Sequence, residues 1–204
     1  MKRLICIVLA MAVMIGCACA EEMSLWEHEA GWISFSIALS QDGLDEVWDE
    51  GAEKFGKSLG IPMMTGTMFK SMMLKGYAFE NGVDEIHADR NRFSGRTQDG
   101  DAVFDHEYAL AEVLEDANIM GGVRVHVFRT EEEAGAFTYL LLTEPVTVEQ
   151  EGTHYTTFNM LHTEDEYMKL FEGGEPGEIQ LPCTMVEKDT ELSGIVLAIE
   201  KFVK

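Results

Sequence analysis

Val123-Arg124-Val125-His126-Val127 is the stretch that decides the fold. It alternates valine with a charged or polar residue, and successive side chains of a strand point to opposite faces. Its valines therefore share one face, and Arg124 and His126 share the other. Two more strands follow, over 137–143 and 153–161, with a turn at 149–152 between them. Upstream, 83–88 and 91–95 read as strands joined by a turn at 89–91. Gln98-Asp99-Gly100-Asp101 is a further turn, and 103–114 reads as one strand. Short alternating segments between turn signals predict an antiparallel β-meander or barrel.

Helices flank this β region. Leu44-Asp45-Glu46-Val47-Trp48 opens a helical pattern that runs through Phe55, with acidic residues in the first turn, where the helix dipole favours them. Gly60 and Pro62 punctuate it, and a second helix runs from about residue 63 to 74. There Met64, Met68 and Met72 recur every four residues and fall on one face. Thr163-Glu164-Asp165-Glu166 reads as a capping box, opening a helix that ends at Gly173-Gly174. Leu192, Ile195, Val196 and Ile199 mark a final amphipathic helix. The fold class is thus mainly β (α+β), an antiparallel barrel with helices toward both ends of the chain. No repeat or linker divides residues 21–204, which read as a single domain.

The first twenty residues read as a secretory signal: Lys2 and Arg3, an apolar run too short to span a bilayer, and Ala18-Cys19-Ala20 before Glu21-Glu22. Met14-Ile15-Gly16-Cys17 offers a second exit, a lipobox with Cys17 as the lipid anchor. Either route places the protein outside the cytoplasm, in the cell envelope or secreted, and no other segment spans a membrane. Cleavage after Ala20 leaves Cys183 alone, without an intramolecular disulfide, as a small buried apolar residue. With 37 acidic against 15 basic residues, the net charge is −22. That excludes nucleic acid or an anionic membrane as a partner held by charge. A hydrophobic fraction of 46% excludes disorder.

Several short motifs keep a common order and spacing. They are Trp32 ahead of Leu44-Asp45, the run Lys75-Gly76-Tyr77-Ala78, Phe93, Phe104-Asp105 with Tyr108, Gly122-Val123-Arg124, and Tyr139. Together they resemble the ZinT (YodA) family of zinc-binding, lipocalin-like proteins, over most of residues 21–204. The resemblance implies a calycin-type barrel in the cell envelope, a part in zinc supply under scarcity, and an ability to take cadmium. It also implies a metal trio: a histidine at a strand end, a second nine residues on, and a third two after that. In this chain those positions are Pro145, His154 and Thr156, so only His154 carries over. The family's histidine-rich mature N-terminus and its cysteine pair are absent here too.

Zinc takes three or four nitrogen, sulfur or oxygen donors. Glu144, His126 and His28 are the residues that could join His154 in rebuilding a site. The methionines at 64, 68 and 72 read as packing, in the core or along an apolar groove, since no histidine or cysteine accompanies them. Asp42-Gly43-Leu44-Asp45 and Asp99-Gly100-Asp101 lack the acidic ladder of a calcium loop and read as turns or helix starts. Catalytic motifs are missing: no nucleophile elbow, no His-Glu-x-x-His and no phosphate-cradling glycine loop. The sequence therefore predicts a non-enzymatic extracytoplasmic binder of a divalent metal, zinc first, with a degenerate site. The alternative is a metal-free barrel for a small apolar or peptide ligand. An envelope protein partner is a third expectation.

Overall fold

The computed structural model describes residues 30–61, 63–77, 82–117, 123–171 and 182–203. The expected leader at 1–20, the anchor residue Cys17, His28 and the expected helix end at Gly173-Gly174 lie outside the described residues. Ten strands make one sheet: β1 (Ala30–Ser34), β2 (Glu85–Asp89), β3 (Arg92–Arg96), β4 (Ala102–Glu107), β5 (Ala109–Ala117), β6 (Val123–Arg129), β7 (Tyr139–Thr143), β8 (Val146–Gln150), β9 (Thr153–Thr163) and β10 (Cys183–Glu187). Among the described residues four α-helices accompany them: α1 (Phe35–Ala38), α2 (Asp45–Leu59), α3 (Gly66–Tyr77) and α4 (Leu192–Phe202).

The strands pair antiparallel in the order β4-β3-β2-β1-β10-β9-β7-β6-β5, with β8 paired to β9 off that path. The two ends of the path, β4 and β5, are consecutive in the chain and separated only by Tyr108. A flat sheet would hold them about 40 Å apart at the usual strand spacing. One residue cannot bridge that, so the sheet curls into a nearly closed barrel. The expected single strand over 103–114 is in fact these two strands. The change of direction falls at Tyr108, whose buried hydroxyl donates to Phe137 O (2.7 Å) and whose backbone N donates to Asn91 O (2.7 Å).

The barrel is filled by its own side chains. Trp32, Phe93, Phe104, Phe128, Phe158 and Met160 are buried in one cluster. Trp32 meets Phe158 edge-on at 4.9 Å, and Phe93 lies 5.1 Å from Phe128, spacings at which aromatic pairs attract beyond simple burial. A second cluster joins the helices to the outside of the sheet through Trp48, Phe55, Phe69, Tyr155, Val186 and Ile195. A third lies outside β6, β7 and β9, where Val125, Val127, Leu141 and Leu161 pack under Tyr167 and Leu170. The valines of the opening motif thus face outward, and Val125 and Val127 are buried nonetheless.

Helix α2 begins with Asp45 and Glu46 in its first turn and ends at Gly60, whose φ of 70° closes it in the left-handed region. In α3 the buried face is Phe69, Met73 and Tyr77. The methionine stripe runs beside that face. Met64 precedes the helix, Met68 is 53% exposed, and Met64 and Met72 pack partly buried against the helical core. Asp42–Asp45 and Asp99–Asp101 are turns, with Gly43 and Gly100 at positive φ. The expected capping box does not form. Thr163 Oγ1 accepts from Asp165 N (3.2 Å), and only a 3-10 turn at Tyr167–Phe171 follows among the described residues. Cys183 is buried, and burial pushes its thiol pKa up.

Candidate functional site

Strands β6 and β7 pair with His126 opposite Leu142 and Val125 opposite Thr143. Glu144 stands one residue beyond β7, so its side chain lies near the open end of that pair. His126 shares a strand face with Phe128, which belongs to the barrel core. Its Nε2 donates to Glu144 Oε1 at 2.9 Å. Arg124, two residues earlier on the same face, donates through Nη1 to the same oxygen at 3.4 Å and through Nε to Glu115 Oε2 on β5 at 3.1 Å. The His126 side chain is 8% exposed and that of Glu144 31%. The corner therefore grades from a buried imidazole to a solvent-facing guanidinium. The hydrogen bond to Glu115, followed by the charges of Glu115 and Glu144, raises the Arg124 pKa further above its already high value, so this side chain is a permanent cation.

His154 stands elsewhere. It lies on β9 opposite Glu149, is exposed, and borders a cleft of about 250 Å³ with Glu187, Asp189, Glu191 and Ser193. Helix α4 presses on its backbone: a Cβ at Gly194 would sit 2.5 Å from His154 O. Thr156, two residues on and on the same strand face, shares a 3.0 Å hydrogen bond with Thr147 Oγ1 across the β8–β9 pair. Pro145 is buried between β7 and β8.

Of the four residues the sequence singled out, the structure brings His126 and Glu144 together, places His154 on a different surface, and does not describe His28. Arg124 and Glu115 complete the corner. The sequence placed Arg124 on the face of His126 without giving it a role, and did not single out Glu115. The alternation over 123–127 already put Arg124 beside His126, and that was the signal that could have found it. Glu115 needed the β5–β6 register.

A three-imidazole zinc centre does not fit these residues. Pro145 offers no side-chain donor, and the Thr156 hydroxyl is engaged with Thr147. Among the described residues no three His, Cys, Asp or Glu side chains gather closely enough to hold a metal ion. Imidazole–carboxylate pairs do occur, at His126–Glu144 (2.9 Å) and at His106–Glu132 (3.0 Å), each with fewer donors than the three or four protein ligands of a zinc site.

No family model matches the sequence, and no curated protein matches it. The fold is similar to solved structures. One is the Zn(II)-bound ZinT-like domain of Streptococcus pneumoniae AdcA, at 18% identity and a TM-score of 0.54 over 97% of this chain and 98% of that one. Another is Zn(II)-bound AdcA from the same organism, at 19% identity and a TM-score of 0.57 over 92% of this chain. The match spans only 38% of that longer protein. Identities this low speak to architecture, and the antiparallel barrel with flanking helices is the architecture expected from the sequence. This chain therefore has the fold of a ZinT-like domain.

Proposed function

We propose that this protein works outside the cytoplasm as a reversible binder of a divalent cation, zinc first, held by His126 Nε2 and Glu144 Oε1. The observation that carries this reading is the 2.9 Å approach of those two atoms at the open end of β6–β7, in a fold similar to Zn(II)-bound domains. A cation between them replaces the hydrogen bond. The reading is capture and release of the ion, with no chemistry on it. The signal-like segment at residues 1–20 supports the location.

A second reading, a small apolar or peptide ligand, draws on the cleft of about 310 Å³ lined by Ile61, Met64, Ala52 and Asp49. The filled barrel interior directs such a ligand to this helical cleft.

The test is a calorimetric zinc titration of the metal-stripped protein beside Glu144→Gln, His126→Ala and His154→Ala. Saturable one-to-one binding that weakens at least tenfold in the first two variants and persists in the third is the expected result. Binding lost only in His154→Ala would move the site to the β9 cleft. Absence of one-to-one binding in the parent protein would end the cation reading.

A further inference from the structure

Exposed apolar side chains are unevenly spread over the molecule. Among the described residues seven large hydrophobic side chains are exposed. Four of them, Leu59, Ile61, Met63 and Met68, fall within ten consecutive residues at the α2–α3 junction. Met63 is 84% exposed and Met68 53%, whereas Met73, Met160 and Met185 are at most 1% exposed. A thioether open to solvent is open to two-electron oxidants, and a buried one is shielded from them. We propose that Met63 and Met68 form a modification site, where a peroxide-class oxidant converts two thioethers to sulfoxides and turns this apolar patch polar while the fold stands.

Hydrogen peroxide represents the class. One of its oxygens bonds to the methionine sulfur as the O–O bond breaks. The proton on that oxygen passes to the departing oxygen, which leaves as water. Sulfur gives up two electrons and the peroxide takes them. The product is a polar side chain in place of a flexible apolar one.

The junction can carry this change because neither thioether holds it together. Its backbone is fixed by Ile61 N donating to Gly56 O (2.7 Å) and Met64 N to Ile61 O (3.2 Å), and by Met68 N donating to Thr65 Oγ1 (3.3 Å). Helix α3 is attached through Phe69, Met73 and Tyr77, with the Phe69 ring 5.3 Å from that of Phe55. Met64 and Met72 pack partly buried against that same helical core, where a new polar oxygen would meet apolar neighbours at a cost. The methionines of this region are thus divided into two that oxidise without structural consequence and three that the fold protects.

The test treats the purified protein with hydrogen peroxide for increasing times and maps oxygen uptake at each methionine by peptide mass spectrometry. A Met63→Leu/Met68→Leu double variant is run beside it. Met63 and Met68 are expected to gain one oxygen each about tenfold faster than Met73, Met160 and Met185. At that stage the parent's melting temperature is unchanged, and its retention on a hydrophobic-interaction column is shortened by more than that of the equally treated double variant. Met168, exposed on the Tyr167–Phe171 turn, oxidises in both proteins and cancels in this comparison. Uptake at Met63 or Met68 no faster than at the three buried methionines overturns the proposal. So does a melting temperature that falls with the first two oxygens in the parent and not in the double variant, or an equal retention change in both. Should the double variant fail to fold, the uptake map and melting temperature of the parent decide.

Discussion

His162 shows how much a single side chain in this barrel depends on its surroundings. Its ring is buried, stacks on Phe137 at 4.5 Å, and donates through Nδ1 to Ala136 O at 2.8 Å. Burial lowers its pKa below the ordinary 6.5, partly offset by that hydrogen bond. In the unfolded chain the same imidazole binds a proton more readily, so stability from this group is full above 6.5 and falls as pH drops below it. The expected outcome is a loss of unfolding free energy on acidification from pH 7 to 5 that is smaller in His162→Gln, checked by urea denaturation at several pH values. Equal losses in parent and variant would remove His162 from the account. At this scale the sequence was partly readable. The alternation over 123–127 put His126 with Arg124 on the face opposite the valines, and the family resemblance singled out His154. Which of them would find a carboxylate was not readable, because Glu144 lies 18 residues from His126 in sequence and reaches it only through β6–β7 pairing.

Among the elements, the β8–β9 hairpin and α4 together decide how His154 is presented. Glu151 and Gly152 form the two-residue loop, both at positive φ (54° and 81°), as a tight hairpin turn requires. Helix α4 then crosses β9 at Gly194, the residue that permits contact with the His154 carbonyl. Gly194→Ala is expected to cost about 1–3 kcal/mol, because the added methyl meets backbone that cannot yield cheaply. Gly76→Ala in α3, where nothing lies within 4 Å of the new Cβ, is expected to stabilise by about 0.4–1 kcal/mol through the unfolded chain. Opposite shifts in urea midpoint for the same chemical change would establish the close crossing; a neutral Gly194→Ala would refute it. The helices α2, α3 and α4 and most central strands were legible because each carries a periodic apolar face. The strands missed were β1, β8 and β10. β10 is buried along Cys183–Val186 and so carries no alternation to read, while β8 follows Pro145 at once and is masked by that breaker, although proline is tolerated at a strand start.

For the whole molecule, closure of the barrel rests on the junction between β4 and β5. Tyr108 is 2% exposed, its ring meets Phe93 at 5.7 Å, and its hydroxyl satisfies the Phe137 carbonyl. Burial raises its pKa well above 10, so it remains a donor across the accessible range. Tyr108→Phe leaves that carbonyl without its buried donor and is expected to cost about 1–2 kcal/mol. The check is thermal denaturation beside Tyr139→Phe, a half-buried tyrosine outside the barrel core; equal melting temperatures for both variants and the parent would count against a role for the junction. What the sequence by itself determined was the kind of molecule: periodicity specified antiparallel strands with flanking helices, composition specified an acidic chain with a core, and motif spacing led to the ZinT-like architecture. Those are properties of neighbours within a few residues. The tertiary structure alone decided that the strand over 103–114 breaks to close the barrel, that Thr156 pairs with Thr147, and that His126, Glu144, Arg124 and Glu115 meet at one corner. Each depends on which strands pair and in what register, and register is set by the packing of the whole sheet, where a shift of one residue would turn a strand's side chains to the other face.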